Sequence, residues 1–140
     1  MTDPTPVPTT PKAFRPCPFC PPNPDEIVLE RPLAWLQRDK RPLTRGHMLV
    51  VPRRHVASFF DTTREERLAM FELIDEAKAI LDREHQPDGY NLGINNGEAA
   101  GQTVMHVHLH IIPRYLGDKD DPRGGIRWML PEKAAYWSKP

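Results

Sequence analysis

The chain has 140 residues, 19 basic and 19 acidic, so it carries no formal net charge. No global field recruits nucleic acid or anionic membrane, and an anionic substrate has to be held by local groups. A domain of this length buries about 68–70% of the surface its unfolded form exposes and needs no disulfide to hold a core. No apolar run approaches the roughly 20 residues of a membrane helix, and the polar, Pro-rich start does not resemble a secretion signal. A soluble cytoplasmic protein is expected, with no membrane partner and no sequence-specific nucleic-acid partner.

Nine of the 17 prolines fall in the first 24 residues, a density that blocks helix and sheet pairing alike. Residues 1–13 are therefore expected to form a flexible tail ahead of one domain over 14–140. The only cysteines, Cys17 and Cys20, have a spacing that argues against a structural disulfide. Ile27-Val28-Leu29 and Ala34-Trp35-Leu36 read as two short strands around the turn-prone Arg31-Pro32. His47 to Val51 reads as a buried strand stopped by Pro52, with the basic exit Arg53-Arg54-His55. A helix follows. Thr62 or Thr63 caps it, Glu65 and Glu66 lie in its first turn, and Leu68, Phe71, Ile74, Ala77 and Leu81 recur at helical spacing as the stripe for the sheet.

Gln86-Pro87-Asp88-Gly89 closes the helix, and Tyr90 to Asn95 is a strand candidate. The loop from Asn96 to Gln102, with two glycines and two alanines, has an accessible backbone and leads through Thr103-Val104-Met105 into the run His106-Val107-His108-Leu109-His110. A C-terminal extension starts at about residue 118. Asp121 to Gly125 is a turn, and Ile126 to Leu130 reads as a further strand. Trp128 and Trp137 fit a base, a second subunit or a core equally well, and Arg114, Tyr115 and Arg127 are available to assist at a phosphate. The pattern predicts an α+β domain with a mostly antiparallel sheet.

On an extended strand His106, His108 and His110 share one face. Three imidazoles in register point to nucleophilic or acid–base work at neutral pH, or to convergence on one catalytic zinc, and spacing leaves both open. The small residues of Gly97-Glu98-Ala99-Ala100-Gly101-Gln102-Thr103 let backbone amides approach an anion, which favours phosphate chemistry. The run His106 to Ile112, the preceding Asn95 to Val104, the segment Gly46 to Pro52 and Cys17-Pro18-Phe19-Cys20 together resemble the histidine triad (HIT) family of nucleotide hydrolases and transferases, over residues 16–118.

The resemblance implies a HIT-like fold: about five strands, one long helix and a shorter one. It also implies a nucleotide hydrolase acting at the α-phosphate of an adenine or other purine derivative, such as a dinucleoside polyphosphate or phosphoramidate. By similarity His108 is the nucleophile that forms a nucleotidyl-histidine, His110 contacts the phosphate or bridging atom, and His47 supports them. Asn95, Gln102, Thr103 and the backbone from Gly101 to Thr103 lie near the phosphate, and Asp39 takes the ribose hydroxyls. Cys17, Cys20, His55 and His106 would hold a structural zinc, closing the tetrahedron and removing His106 from catalysis. No organic cofactor is expected, and a homodimer is. Two rival functions stand beside hydrolysis: nucleotidyl transfer through the same intermediate, and a non-catalytic nucleotide-binding regulatory module.

Overall fold

The structure, a computed structural model, describes residues 16–138; the tail expected over 1–13 lies outside the described residues. Five strands form one antiparallel sheet: β1 (Ile27–Glu30), β2 (Ala34–Arg38), β3 (Met48–Pro52), β4 (Gly89–Ile94) and β5 (Leu109–Arg114). Their order is β1-β2-β3-β5-β4, so the last strand inserts between β3 and β4. The long helix α1 (Arg64–His85) joins β3 to β4, and the short α2 (Pro131–Ala134) lies near the C-terminus. This is the expected α+β architecture. No described helix is long and apolar enough to cross a membrane.

Strand alternation gives the sheet two unlike faces. Ala34, Leu36, Met48, Val50, Leu109 and Ile111 point one way and pack with Met70, Leu73, Ala77 and Leu81 of α1. Trp35, Leu49 and Val51 point the other way and cluster with Phe19. Because α1 covers the first face, the second is left for the site.

Helix α1 begins as expected. The Thr63 hydroxyl accepts from the Glu66 amide at 3.1 Å while the Glu66 carboxylate accepts from the Thr63 amide at 2.8 Å, a complete capping box. Its buried stripe is rotated from the one expected. Leu68 and Phe71 are exposed, whereas Glu66, Met70 and Leu73 are buried with Ala77 and Leu81. The buried line includes a carboxylate, which apolar periodicity does not register; Glu66 is accommodated because Arg54 Nη2 donates to it at 2.8 Å.

Two further expectations change. The strand expected from His106 starts in the ladder only at Leu109, because the Val107 amide is taken by Val56 O at 2.8 Å instead of by a strand neighbour. The strand expected over Ile126–Leu130 is a 3-10 turn, Gly125–Met129. There the Arg127 amide bonds Gly124 O at 2.9 Å and the Leu130 amide bonds Arg127 O at 3.1 Å, so local closure replaces sheet pairing.

Candidate active site and metal centre

Cys17 and Cys20 form a tight turn closed by the Cys20 amide on Cys17 O at 3.2 Å. Phe19, between them, is buried edge-on against Trp35 and His106, with centroids 6.4 and 5.5 Å apart, and seats the turn on the sheet. The Val107–Val56 backbone bond brings His55 beside His106, their ring centroids 5.0 Å apart. His106 is fully buried, and its Nε2–H donates to Pro52 O at 2.7 Å, which leaves Nδ1 as a lone pair. That Nδ1 lies 3.4 Å from both Cys17 Sγ and Cys20 Sγ, and Cys20 Sγ lies 3.4 Å from His55 Nδ1.

The four candidate ligand atoms all fall within 4.8 Å of one another. Tetrahedral zinc with ordinary Zn–S and Zn–N bonds separates sulfur from nitrogen by about 3.6 Å, so the cluster fits the metal. Burial, ahead of the neighbouring His55 and His108, keeps His106 below its usual value and therefore neutral, as a ligand must be. Burial also pushes the Cys17 thiol up to about 11 when no metal is there to claim the thiolate.

The second cluster lies farther along the same face. The main-chain amide of Leu43 donates to His47 Nδ1 at 3.0 Å. An amide can only donate, so neutral His47 carries its proton on Nε2. Burial, before any charge, holds His47 below its usual value and so keeps it neutral. The Nε2–H then donates to His110 Nδ1 at 3.0 Å, with Asp39 Oδ2 beside it at 3.4 Å. His110 is held down to about 4, first by burial and then by His108 and His47, with only Asp39 opposing; neutral His110 therefore presents Nε2–H as a donor.

Asp39, His47 and His110 also converge closely enough for a metal, but the proton on His47 Nε2 occupies the position a cation would need. The cluster is a hydrogen-bonded relay. His108 has the opposite tautomer: its Nδ1–H donates to His106 O at 3.0 Å, which leaves Nε2 as the nucleophilic lone pair in the neutral ring. Its ring lies 5.1 Å from His110 and 5.3 Å from Phe19.

A cleft of about 420 Å³ opens on this face, lined by Asp39, His47, Asn95, His110 and Ile112 among others. That volume suits a nucleotide-sized ligand. Gly93, opposite His110 in the ladder, helps keep it open, since a Cβ there would meet nothing within 4 Å.

The loop after β4 turns at Gly97 and Gly101, with φ of +93° and +91°, conformations that favour glycine. Gln102 is buried and its side chain holds the loop together. Its Oε1 accepts from the Gly97 amide at 2.8 Å, and its Nε2 donates to Ala57 O and Val104 O at 2.8 and 3.0 Å. The Gly101 and Gln102 amides close turns on Glu98 O and Gly97 O at 3.0 and 3.1 Å. Thr103 is exposed at the end of this loop.

The structure gathers Cys17, Cys20, His55 and His106 in one cluster and Asp39, His47 and His110 in another, with His108 beside His110 and Asn95 lining the cleft, whereas the Gln102 side chain is taken up within its own loop. Asn96 Oδ1 accepts from the Phe59 amide at 2.6 Å and pins the loop to residues 58–59. Asn96 had been read only as part of a turn signal. The Leu43 amide leaves no mark in a sequence, because any non-proline residue supplies one. Arg114 is not aimed at a phosphate; Asp118 clamps it at 2.8 and 2.7 Å and Asn91 at 2.7 Å. Tyr115 donates to Arg45 O at 2.7 Å and Arg127 to Lys133 O at 2.7 Å, so both are structural.

Comparison with known proteins agrees with this geometry. The HIT domain profile matches residues 21–117. The chain is 38% identical over 96 residues to the bifunctional bis(5'-adenosyl)-triphosphatase/adenylylsulfatase FHIT of Arabidopsis thaliana, covering 69% of this chain and 53% of that protein. It is 45% identical over 98 residues to Protein hit of Bacillus subtilis, covering 69% and 64%. The chain thus spans between half and two thirds of these relatives. Among solved structures, a Zn-bound histidine triad family protein from Mycobacterium smegmatis superposes with a TM-score of 0.62 at 38% identity, covering 66% of this chain and 68% of that one. With the triad, the relay and the profile match in agreement, this chain belongs to the HIT domain family.

Proposed function

We propose that the protein hydrolyses an adenine nucleotide derivative, such as a dinucleoside polyphosphate or a nucleoside phosphoramidate, at its α-phosphate. The observation that carries the reading is the pairing of opposite tautomers. His108 offers a lone pair at Nε2 and, one strand pitch on, His110 offers an N–H. His108 Nε2 attacks the α-phosphorus, the new N–P bond forms, and the P–O or P–N bond to the departing group breaks with its electron pair leaving on that group, which in a phosphoramidate takes up a proton from solvent so that it departs as the neutral amine. Water then attacks phosphorus, the N–P pair returns to Nε2, and the water proton passes to the departed group or to solvent. His110 Nε2–H donates to a phosphate oxygen as charge builds there, and Asp39 accepts from the ribose hydroxyls. Asn95, which lines the cleft, and the exposed Thr103 are proposed to contact the phosphate, while the Gly101 and Gln102 amides close turns within their own loop.

Zinc on Cys17, Cys20, His55 and His106 supplies a structural cross-link and no open coordination position. The Mycobacterium smegmatis relative is described as Zn-bound, which supports the assignment. We also propose a homodimer, as expected from the resemblance.

The test is release of AMP from diadenosine polyphosphates and from adenosine phosphoramidate, with and without brief chelation, for the wild type and for His108→Ala. Chelator-resistant turnover abolished by the substitution is expected. Turnover that survives His108→Ala removes the covalent step, and immediate loss on chelation points to a catalytic metal.

A further inference from the structure

The metal cluster is built from residues of unequal exposure. His106 is fully buried and Cys17 half-buried, whereas Cys20 is exposed, so one sulfur of the pair faces solvent. The bond from the Cys20 amide to Cys17 O closes a β-turn, which keeps the two Cα atoms within about 7 Å. A disulfide spans Cα atoms about 4.4–6.8 Å apart. Both sulfurs already lie against one atom, His106 Nδ1, at 3.4 Å, so an S–S bond asks for adjustment of the turn alone. That turn also carries Phe19, whose buried ring lies edge-on to His106 and 5.3 Å from His108. His106 in turn supports His108: its ring is held by Pro52 O and the two sulfurs, and its carbonyl accepts from His108 Nδ1 at 3.0 Å.

Resting on the nucleotide and zinc readings above, we infer that Cys17 and Cys20 form a peroxide-sensitive pair whose reversible oxidation to a disulfide empties the metal site and loosens His108. The exposed Cys20 thiolate attacks one peroxide oxygen, the O–O bond breaks and hydroxide leaves, giving a sulfenic acid. The Cys17 thiolate then attacks that sulfur, the S–S bond forms, the S–O bond breaks and a second hydroxide leaves. Each hydroxide takes a proton from solvent, so the two sulfurs give up two electrons and the peroxide becomes two waters. Neither sulfur then carries the charge that binds a metal, and of the four ligands only His55 and His106 remain. Brief chelation lacks this effect, because four protein ligands leave a chelator no open coordination position, whereas oxidation consumes two of the ligands themselves.

The full-length, zinc-loaded protein treated with hydrogen peroxide tests this, followed by intact mass, by zinc release to a chromogenic chelator and by steady-state hydrolysis of a diadenosine polyphosphate. Loss of two hydrogens is expected, with one zinc released per disulfide and kcat lower by about tenfold or more, the scale on which a displaced reacting group costs rate. A dithiol with added zinc should restore all three, which separates the pair from methionine, whose sulfoxide is reversed by dedicated enzymes. A protein that keeps its zinc and both thiols at peroxide concentrations that oxidise free cysteine overturns the inference. So does zinc loss with irreversible addition of oxygen in place of a disulfide, or a disulfide with kcat unchanged within about twofold. Mass and zinc are read without activity: a reduced protein that binds zinc but hydrolyses no nucleotide overturns the link to His108 together with the nucleotide reading, and one that binds no zinc overturns the zinc reading and the inference with it.

Discussion

His47→Ala tests whether the relay sets the tautomer of His110. The His47 side chain is 5% exposed and has a partner on each ring nitrogen. Its removal leaves the Leu43 amide without an acceptor and His110 Nδ1 without a donor; each orphaned group costs about 1–3 kcal/mol of stability. The effect on activity is separate. Without the proton from His47, His110 can place its own proton on Nδ1 and turn a bare lone pair toward the phosphate. A fall in kcat/KM of roughly ten- to a hundredfold is expected, mostly in kcat, since one pre-organised donor is worth about a hundredfold or more when lost outright. Two amides separate the halves. Gln places its Nε2 where the histidine Nε2 was and restores the donor to His110; Asn places its Oδ1 where Nδ1 was and restores only the acceptor for Leu43. Steady-state kinetics and thermal melting of the three variants should show Gln recovering most of kcat and Asn recovering melting temperature without rate. If His47→Ala keeps kcat/KM within about twofold, or if Gln and Asn behave alike, the relay does not govern the rate.

Other consequences follow from the same groups. Asp39→Asn removes the one charge that raises His110, so the imidazole titration seen by NMR should move below about 4; an upward move contradicts the electrostatic picture. The same variant should weaken AMP by about ten- to a hundredfold and leave a dideoxyribose analogue unaffected, a lost charged hydrogen bond being worth about 1.5–3 kcal/mol. Because His110 titrates at about 4 when folded and at the ordinary imidazole value of about 6.5 when unfolded, the unfolded chain binds more protons between those values. Its contribution to stability is present above that window, is lost as pH falls through it and levels off below; melting temperature should therefore drop with acidification across it and drop less in His110→Gln. Metal binding must displace the proton of Cys17, which otherwise titrates at about 11, so apparent zinc affinity should rise with pH, and Cys20→Ser should purify without stoichiometric zinc and melt at lower temperature.

The sheet was legible because its strands carry local signals: the short apolar runs at Ile27 and Ala34, the block before Pro52, and the turn that ends α1. The insertion of β5 between β3 and β4 was not read from residues, since pairing between distant strands leaves no local pattern. Leu68 and Phe71 misled the helix reading because periodicity weighs apolar character alone, while the buried Glu66 needs Arg54 and the capping box to explain it. Ile126 to Leu130 read as a strand for the same reason, since apolar content does not distinguish a pairing edge from side chains that line a cleft. The site residues, and the separate roles expected for His106, His108 and His110, came from motif resemblance; spacing alone left the three histidines interchangeable.

That division arises from the backbone. Three histidines at alternate positions have the same side chain and the same intrinsic chemistry. Pro52 O takes the Nε2 proton of His106 and turns Nδ1 toward two sulfurs. His106 O takes the Nδ1 proton of His108 and frees Nε2. The Leu43 amide acts through His47 to place the proton of His110 on Nε2. Two carbonyls and one amide thus suit one residue type to the three proposed roles of ligand, nucleophile and donor. The early departure of the strand from the ladder is consistent with this: ahead of Leu109 the Val107 amide goes to Val56 O, and the His106 carbonyl accepts from His108.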